Sequence, residues 1–193
     1  MPNKIAPPSP DKYIFLDRDG VINRDSSDYI KRWEDFEFLP GSLEALKKLT
    51  VAGYRIIVIT NQSIIGRGWV PPAVLEDIFA RMRAKIEAAG GRIHDIFFCP
   101  HAPDEGCNCR KPAIGLITRA AETYGIDIAA TPMVGDSAKD IQCAKAAGCK
   151  TAILVKTGNY AAACKALAEN NLAADATVHN LLQAVNRLLG SRK

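Results

Sequence analysis

The sequence predicts an α/β fold, a Rossmann-like three-layer αβα sandwich around a central parallel sheet. Five short apolar runs rich in Ile, Val, Leu and Phe recur along the chain, and amphipathic helical patterns separate most of them. The runs are continuously apolar, which is typical of parallel strands covered on both faces. With 193 residues the chain favours a single domain.

The predicted strands occupy residues 13–16, 55–59, 95–98, 132–134 and 151–155. Helices are predicted at 41–52, 72–89, 112–124 and 139–147, where apolar residues recur on one face. Pro71 and Pro72 suit the start of the second helix, and Gly90 suits its end. Beyond Ala161 the pattern predicts further helical segments and one short strand near Thr177.

Composition limits the classes of function. Residues 1–11 are polar and rich in proline and are predicted to be a flexible tail, and residues 12–193 form one domain without a large cap. The net charge of +4 favours anionic small molecules but is too small to indicate nucleic acid. No apolar run approaches the roughly 20 residues that span a bilayer. We therefore expect a cytoplasmic protein with no membrane partner, and a monomer.

Polar residues follow four of the predicted strands. Because ligands bind beyond the carboxyl ends of the strands in open parallel sheets, these residues are expected to meet at one edge. They are Asp17-Arg18-Asp19-Gly20, Thr60-Asn61-Gln62-Ser63, Cys99-Pro100-His101, and Gly135-Asp136-Ser137 with Asp140 further on.

These residues suit phosphoryl transfer that depends on magnesium. Asp17, Asp19 and Asp136 offer the oxygen ligands that Mg²⁺ prefers, and a carboxylate can attack phosphorus to form an aspartyl phosphate. The cation would reduce the repulsion between carboxylate and phosphate. Thr60 and Lys111 offer a hydroxyl group and a positive charge to the phosphoryl oxygens. Asp19 could protonate the leaving oxygen and then activate water.

A second metal site is predicted in the loop at 99–109. Three thiolates and one imidazole within eleven residues fill a tetrahedral Zn²⁺ site, which leaves no position for substrate and indicates a structural metal. The alternative is a loop of free thiols. Zinc would hold the loop and so position Arg110 and Lys111. The predicted ligands are Cys99, His101, Cys107 and Cys109.

The other three cysteines, Cys143, Cys149 and Cys164, lie in helical surroundings or near a strand start and are predicted to be core or half-buried thiols. Trp33 and Trp69 are expected to pack in their loops, although a lid or a loop anchor near the site is an alternative. Lys31 and Arg32 are interpreted as part of a solvated loop.

The ordered motifs resemble the haloacid dehalogenase superfamily of aspartate-nucleophile phosphatases. Residues 17–22 match its first motif, Thr60 the second, Lys111 the third, and Gly135-Asp136 with Asp140 the fourth. The resemblance covers residues 12–160. It implies that Asp17 is nucleophile and Mg²⁺ ligand, that Asp19 is general acid and base with its backbone carbonyl on the metal, and that Asp136 completes the ligands. Ser137 stands where the family often has Lys, and Lys139 is expected on the helix surface.

The metal loop narrows the resemblance. CPH followed by CxCRKP is similar to the D-glycero-D-manno-heptose 1,7-bisphosphate 7-phosphatases and to the related histidinol phosphatases. The segments TNQS at 60–63 and GRG at 66–68 resemble the heptose enzymes, although Ile64 replaces their usual glycine. The short stretch between His101 and Cys107 resembles the histidinol phosphatases.

The heptose resemblance implies removal of the 7-phosphate from a sugar bisphosphate, in nucleotide-heptose and lipopolysaccharide-core synthesis. Histidinol phosphate is the alternative substrate, and an inactive zinc-knuckle binding module is the alternative class. An end phosphatase of nucleic acids is disfavoured by the weak positive charge. The implied substrate contacts are Arg18, Asp25, Ser26, Ser27, Asp28, Asn61, Gln62, Ser63 and Arg110.

Overall fold

The computed structural model describes residues 12–158 and 160–190, so the predicted tail at 1–11 lies outside the described residues. Six strands and six α-helices follow one another within those ranges. The strands are β1 (Lys12–Leu16), β2 (Tyr54–Asn61), β3 (Ile93–Cys99), β4 (Pro132–Gly135), β5 (Thr151–Val155) and β6 (Ala176–Val178). The helices are α1 (Ser42–Val51), α2 (Pro72–Ala88), α3 (Gly115–Tyr124), α4 (Ala138–Ala147), α5 (Tyr160–Glu169) and α6 (Leu181–Gly190).

The strands form one sheet in the order β3-β2-β1-β4-β5-β6, and each adjacent pair is parallel. The strand order reverses between β1 and β4, where the chain moves from one half of the sheet to the other. That switch point opens a crevice at the carboxyl ends of the two strands. The predicted α/β sandwich is confirmed, and its ligand crevice lies between β1 and β4.

Helices cover both faces of the sheet because its central strands are apolar on both sides. In β1, Ile14 and Leu16 point toward one core, and Phe15 points toward the other. The first core includes apolar residues from α1, α2 and α6, and the second includes residues from α3, α4 and α5. Both cores exclude water from the strands, so the sheet provides a rigid support for its carboxyl edge.

Several boundaries differ from the sequence prediction by one to three residues, and two of these differences bear on the site. Strand β2 continues to Asn61 because Thr60 and Asn61 pair with the end of β3. Helix α3 begins at Gly115 rather than at 112, because the Gly115 N–H donates to the carbonyl of Asn108 at 3.1 Å and holds the preceding residues in a turn. The site residues at the ends of β2 and before α3 are therefore fixed by backbone hydrogen bonds.

The longest segments outside the strands and α-helices of the described chain are 17–41 and 100–114. The first includes a short 3₁₀ turn, Trp33–Asp35, in which Trp33 stacks on Phe36 with ring centroids 5.0 Å apart. This contact confirms the packing role predicted for Trp33. Within the described ranges, no helix has the length and apolar character that a membrane span requires.

Candidate active site

Three buried carboxylates meet at the switch point of the sheet. Asp17 follows β1, Asp136 follows β4, and Asp140 lies in the first turn of α4. Oxygen atoms of all three lie within 4.8 Å of one another. The Asp17 N–H donates to the carbonyl of Val134 at 2.9 Å, which fixes the end of β1 against β4. The fold therefore concentrates three carboxyl groups at one buried point.

The pKa values of this cluster indicate a need for a cation. The pKa of Asp17 is raised to about 7, because burial and the charges of Asp140 and Asp19 together outweigh the opposing charge of Lys111. Burial and the neighbouring Asp140 and Asp17 raise the pKa of Asp136 to about 9. Oxygen ligands in such a group suit Mg²⁺, which would favour the charged carboxylates.

Two glycines allow the backbone to approach Asp136 closely. A Cβ atom at Gly158 would lie 1.7 Å from Asp136 Oδ2, and one at Gly20 would lie 2.3 Å from the same oxygen. Gly20 also has a φ of +76°, which side-chain-bearing residues rarely adopt. The loops after β1 and β5 can therefore enclose the Asp136 carboxylate only because both positions lack a side chain.

Lys111 supplies the positive charge in the cluster. Its Nζ lies 2.8 Å from Asp17 Oδ1 and 2.5 Å from Asp140 Oδ1, and it donates to the carbonyl of Ile59 at 2.8 Å. Burial by itself would lower the pKa of Lys111, but the carboxylates of Asp140 and Asp17 raise it above its usual range. The ammonium group is therefore a fixed cation beside Asp17.

Backbone contacts hold Lys111 and Asp140 in place. Asn61 Oδ1 accepts from the Lys111 N–H at 3.0 Å, and Asn61 Nδ2 donates to the Lys111 carbonyl at 3.2 Å. Asp140 Oδ2 accepts from the Ser137 N–H at 3.0 Å and from its hydroxyl at 2.6 Å, which caps α4. Asn61, for which a substrate contact was predicted, has its amide group engaged with Lys111.

Asp19 has a different environment from the other carboxylates. Arg18 Nη2 lies 2.8 Å from Asp19 Oδ1, Asn23 Nδ2 donates to the same oxygen at 2.9 Å, and Gln62 Nε2 donates to Oδ2 at 2.9 Å. Burial would raise the pKa of Asp19, but the Arg18 charge and these donors outweigh it and lower the pKa. Gln62 also donates to Thr60 Oγ1 at 2.9 Å, so it connects Asp19 with Thr60.

A cavity of about 540 Å³ contains the carboxylates and most of the predicted site residues. The cavity volume suits a small metabolite. Lys139 is exposed on α4 as predicted, and it also borders the cavity together with Ser137. The cavity walls do not include Asp28, Ser63 or Arg110. The predicted site residues that line it are Asp17, Arg18, Asp19, Asp25, Ser26, Ser27, Thr60, Asn61, Gln62, Lys111 and Asp136.

The cluster of Cys99, His101, Cys107 and Cys109 has the shape of a tetrahedral metal site. The three Sγ···Sγ distances are 3.6, 3.2 and 3.6 Å, and His101 Nδ1 lies 3.5 Å from Cys99 Sγ and 3.2 Å from Cys109 Sγ. A tetrahedron with Zn–S bonds of ~2.3 Å has edges of roughly 3.8 Å. The four ligand atoms are therefore compatible with zinc.

Two cysteines of the cluster differ in acidity. Burial raises the pKa of Cys99 to about 12. Burial acts in the same direction at Cys107, but the backbone N–H groups of Cys109 and Arg110 donate to its sulfur and lower its pKa to about 7. A metal ion would be needed to hold all of these groups as thiolates. The remaining cysteines are free thiols, one buried and two half-buried, as predicted.

The cysteine loop contacts the segments on both sides of it. Arg110, the residue directly before Lys111, donates from Nη1 to the carbonyl of His101 at 3.2 Å. The Gln62 N–H donates to the carbonyl of Cys99 at 2.7 Å, and the Gly66 N–H donates to that of Pro100 at 2.8 Å. The loop therefore supports both Lys111 and the segment that follows β2.

Sequence reasoning missed two parts of the site. Asn23 is fully buried and donates to Asp19, yet it stands alone in a loop without a motif. Thr157 and Gly158 follow β5, and the Thr157 hydroxyl donates to the carbonyl of Gly20 at 2.5 Å. Thr157 and Gly158 could have been found from the sequence, because ligands bind beyond the carboxyl ends of parallel strands and these two residues follow β5.

Comparison with known proteins agrees with this arrangement. Residues 108–184 match the family model described as HAD-hydrolase-like. The chain is 47% identical to the D-glycero-beta-D-manno-heptose-1,7-bisphosphate 7-phosphatase of Pseudomonas aeruginosa over 75% of this chain and 81% of that protein. It is 41% identical to the D-glycero-alpha-D-manno-heptose-1,7-bisphosphate 7-phosphatase of Photorhabdus laumondii over 77% of this chain and 84% of that protein.

A solved structure of a heptose bisphosphate phosphatase is also similar to this chain. The D,D-heptose 1,7-bisphosphate phosphatase of Bordetella bronchiseptica, complexed with magnesium and phosphate, superposes with a TM-score of 0.86 at 41% identity. The match covers 93% of this chain and 98% of the other. The fold and the carboxylate cluster thus define a HAD-like hydrolase. Within that class, the chain belongs to the family of heptose-1,7-bisphosphate 7-phosphatases.

Proposed function

We propose that the chain is a Mg²⁺-dependent phosphoric monoester hydrolase that removes the 7-phosphate of D-glycero-β-D-manno-heptose 1,7-bisphosphate. The observation that carries the proposal is the buried cluster of Asp17, Asp136 and Asp140 with Lys111 at the switch point of the sheet. The β-anomer is proposed because the relative at 47% identity is named for it, whereas the α-named relative is 41% identical.

Asp17 is the proposed nucleophile. Its carboxylate attacks the phosphorus of the 7-phosphate, the P–O7 bond breaks, and an aspartyl phosphate forms. Thr60 and Lys111 hold the phosphoryl oxygens during this displacement. Water then attacks the phosphorus, the bond to Asp17 breaks, and inorganic phosphate leaves with the free carboxylate restored.

Asp19 is the proposed proton carrier for both steps. It gives a proton to O7 of the leaving sugar and later takes one from the attacking water. Arg18, Asn23 and Gln62 hold the free protein's Asp19 as a carboxylate. A phosphate dianion beside it raises its pKa, so substrate binding favours the protonated acid that the first step needs.

The two metals have separate proposed sites. Asp17, Asp136 and the backbone carbonyl of Asp19 would hold Mg²⁺, which supplies charge neutralisation and alignment of the phosphate when bound. Cys99 and its three partner ligands would hold a structural Zn²⁺, which would fix the His101 carbonyl that accepts from Arg110. The substrate contacts predicted for Asp28, Ser63 and Arg110 remain part of the proposal, although these side chains lie outside the cavity wall.

The proposed cellular role is the supply of heptose 1-phosphate to nucleotide-heptose and lipopolysaccharide-core synthesis. We also propose that the enzyme works as a monomer in the cytoplasm. The proposed pathway rests on the family, since the heptose relatives act on sugar bisphosphates by name. The proposed monomer and location rest on the sequence alone.

Substrate profiling with Mg²⁺ present tests the proposed activity. The β-anomer of heptose 1,7-bisphosphate is compared with its α-anomer and with histidinol phosphate, at equal enzyme concentration. The expected order of kcat/KM is β-anomer, α-anomer, histidinol phosphate. A larger kcat/KM for histidinol phosphate would make the assigned substrate wrong, and a larger value for the α-anomer would overturn only the anomer preference.

A further inference from the structure

Gln62 is a buried residue between two groups that the proposed reaction uses. It is 4% exposed and directly follows β2. Its Nε2 atom donates to Asp19 Oδ2 and to Thr60 Oγ1, both at 2.9 Å. One amide group therefore contacts both the proposed proton carrier and a residue proposed to hold the phosphoryl oxygens.

The orientation of the Gln62 amide follows from the chemistry of its partners. A carboxylate accepts hydrogen bonds and cannot donate them, so the amide must turn its NH2 group, and not its oxygen, toward Asp19. Asp19 and Thr60 then use the two N–H bonds of that group. The substrate contact predicted for Gln62 would have to replace one of these internal bonds or use the amide oxygen.

The contact with Gln62 also limits the direction of the Thr60 hydroxyl proton. A hydroxyl group has one proton and two lone pairs, and the Gln62 N–H occupies one lone pair of Thr60 Oγ1. The Thr60 proton must therefore point away from Gln62. Because Thr60 lines the cavity, this proton is available to a phosphoryl oxygen there.

The rotation of the Asp19 carboxyl group depends on amide donors more than on its ion pair. Arg18 Nε and Nη2 each lie within 3.2 Å of both Asp19 oxygens, so the ion pair does not distinguish one oxygen from the other. Asn23 Nδ2 donates to Oδ1 at 2.9 Å, whereas Gln62 Nε2 donates to Oδ2. The two amides therefore fix the plane of the carboxyl group.

The backbone of Gln62 is bonded on both sides of its side chain. Its N–H donates to the carbonyl of Cys99, the last residue of β3, at 2.7 Å. Its carbonyl accepts from the Ile65 N–H at 3.3 Å. Burial and these bonds hold the amide beside its two acceptors, and fixed hydrogen-bond donors of this kind align catalytic groups before the reaction begins.

On the proposed function, we infer that Gln62 is a positioning residue for phosphoryl transfer. It turns the Thr60 proton toward the phosphoryl group and holds Asp19 for proton transfer to the leaving oxygen. It acts through these two residues and not as a contact to the sugar. Loss of its amide should therefore slow the chemical step and leave substrate binding nearly unchanged.

Gln62→Met tests this role because it keeps the length of the side chain and removes both N–H donors. Release of the leaving group is measured in a single turnover with Mg²⁺, for heptose 1,7-bisphosphate and for 4-nitrophenyl phosphate. For the bisphosphate, the maximal rate should fall about tenfold, and the half-saturating concentration should stay within about twofold. For 4-nitrophenyl phosphate the rate should fall only about threefold, because nitrophenolate leaves without a proton and only the alignment of Thr60 is lost.

A double variant separates the two contacts. With 4-nitrophenyl phosphate, Thr60→Ala and the double variant Thr60→Ala/Gln62→Met should react at the same rate, since Gln62 cannot orient a hydroxyl group that has been removed. Gln183→Met, at an exposed glutamine of α6, is the control and should keep both wild-type rates. Melting curves show which variants are folded. If Gln62→Met does not fold, Gln62→Ala removes the same donors with a smaller side chain and is measured in its place.

Each other result overturns the inference. A higher half-saturating concentration of the bisphosphate with an unchanged rate would make Gln62 a substrate contact. Equal losses with both substrates, or additive effects of the Thr60 and Gln62 changes, would leave Gln62 a structural role alone, and an unchanged rate with an unchanged half-saturating concentration would show that its amide is not needed. In all of these cases the proposed function stands.

Failure of the proposed function has a different signature. If the wild type hydrolyses 4-nitrophenyl phosphate but not the heptose bisphosphate, the proposed substrate is wrong, and the rates of the Thr60 and Gln62 variants with 4-nitrophenyl phosphate still decide the role of Gln62. If the wild type hydrolyses neither compound, the proposed function and the inference are both wrong.

Discussion

At the scale of single residues, the carboxylates of the site differ because their neighbours differ. Asp17 is buried beside other carboxylates and has a raised pKa, whereas Asp19 accepts from Arg18, Asn23 and Gln62 and has a lowered one. Asp140 caps α4 and pairs with Lys111. Neighbouring carboxyl groups with separated pKa values are suited to separate roles in catalysis.

Replacing Asp17 with Asn tests the role of the nucleophile. Asp17→Asn keeps the size of the side chain but removes the attacking oxygen charge, so turnover should fall by about three orders of magnitude or more. Steady-state kcat with saturating Mg²⁺ measures the loss. Asp77→Asn, an exposed carboxylate of α2, is the control and should keep wild-type turnover. More than a tenth of the wild-type kcat in Asp17→Asn would contradict the assignment.

A single methyl group at Gly158 should disturb the metal site. Gly158→Ala would place a Cβ 1.7 Å from Asp136 Oδ2, so the loop after β5 or the carboxylate must move. We expect a higher Mg²⁺ requirement and about a tenfold lower kcat, since small displacements of catalytic groups are costly. Titration of activity with Mg²⁺ measures both.

The matched control is Gly190→Ala at the end of α6, where a Cβ meets no other atom within 4 Å. That variant should retain the Mg²⁺ dependence and kcat of the wild type. If the Gly158 and Gly190 variants have the same Mg²⁺ requirement and the same kcat, the close approach of Gly158 to Asp136 does not matter for catalysis.

At the scale of elements, the loops after the strands determine the site. The cysteine loop at 99–109 contacts the backbone of Gln62 and Gly66 on one side and precedes Lys111 on the other. Asn61, the last residue of β2, bonds to both backbone groups of Lys111. Loss of order in the cysteine loop should therefore displace both Lys111, the cation proposed to bind the phosphoryl group, and the segment after β2.

Removing one ligand of the cysteine loop tests this coupling. Cys107→Ser should lower zinc content well below one ion per chain and reduce kcat/KM by tenfold or more, about the effect of losing support around a catalytic group. Elemental analysis and kinetics on the same preparation provide the measurement. Cys164→Ser, a half-buried thiol of α5 outside the cluster, is the control. If the Cys107→Ser enzyme contains no zinc but keeps full activity, the cysteine loop does not support catalysis and the predicted coupling is wrong.

At the scale of the whole molecule, periodicity and strand-end chemistry predicted the sheet, the layers and the convergence of Asp17, Thr60, Lys111 and Asp136. The strands and helices follow from local patterns in the sequence. The convergence of the site residues then follows from the general geometry of parallel sheets. Asn23 could not be predicted, because it reaches Asp19 through a loop whose path depends on tertiary packing.

The roles of Asn61 and Trp69 show the same limit. The sequence places both near the site, but it does not show that the Asn61 amide is engaged with Lys111 or that Lys31 and Arg67 lie close to the Trp69 ring. Such assignments require side-chain positions across loops that are distant in the chain. The sequence therefore predicted which segments meet at the site, but not which partners the side chains of Asn61 and Asn23 have there.

The most direct test of the central claim is to trap the phosphoenzyme. The enzyme is mixed with Mg²⁺ and heptose 1,7-bisphosphate, quenched in acid within the first turnover, digested and examined by peptide mass spectrometry. The account predicts a phosphoryl group on the peptide that contains Asp17, at the side chain of Asp17, and none in Asp17→Asn. Full turnover of the bisphosphate with no phosphopeptide, or with the phosphoryl group on another residue, would contradict it.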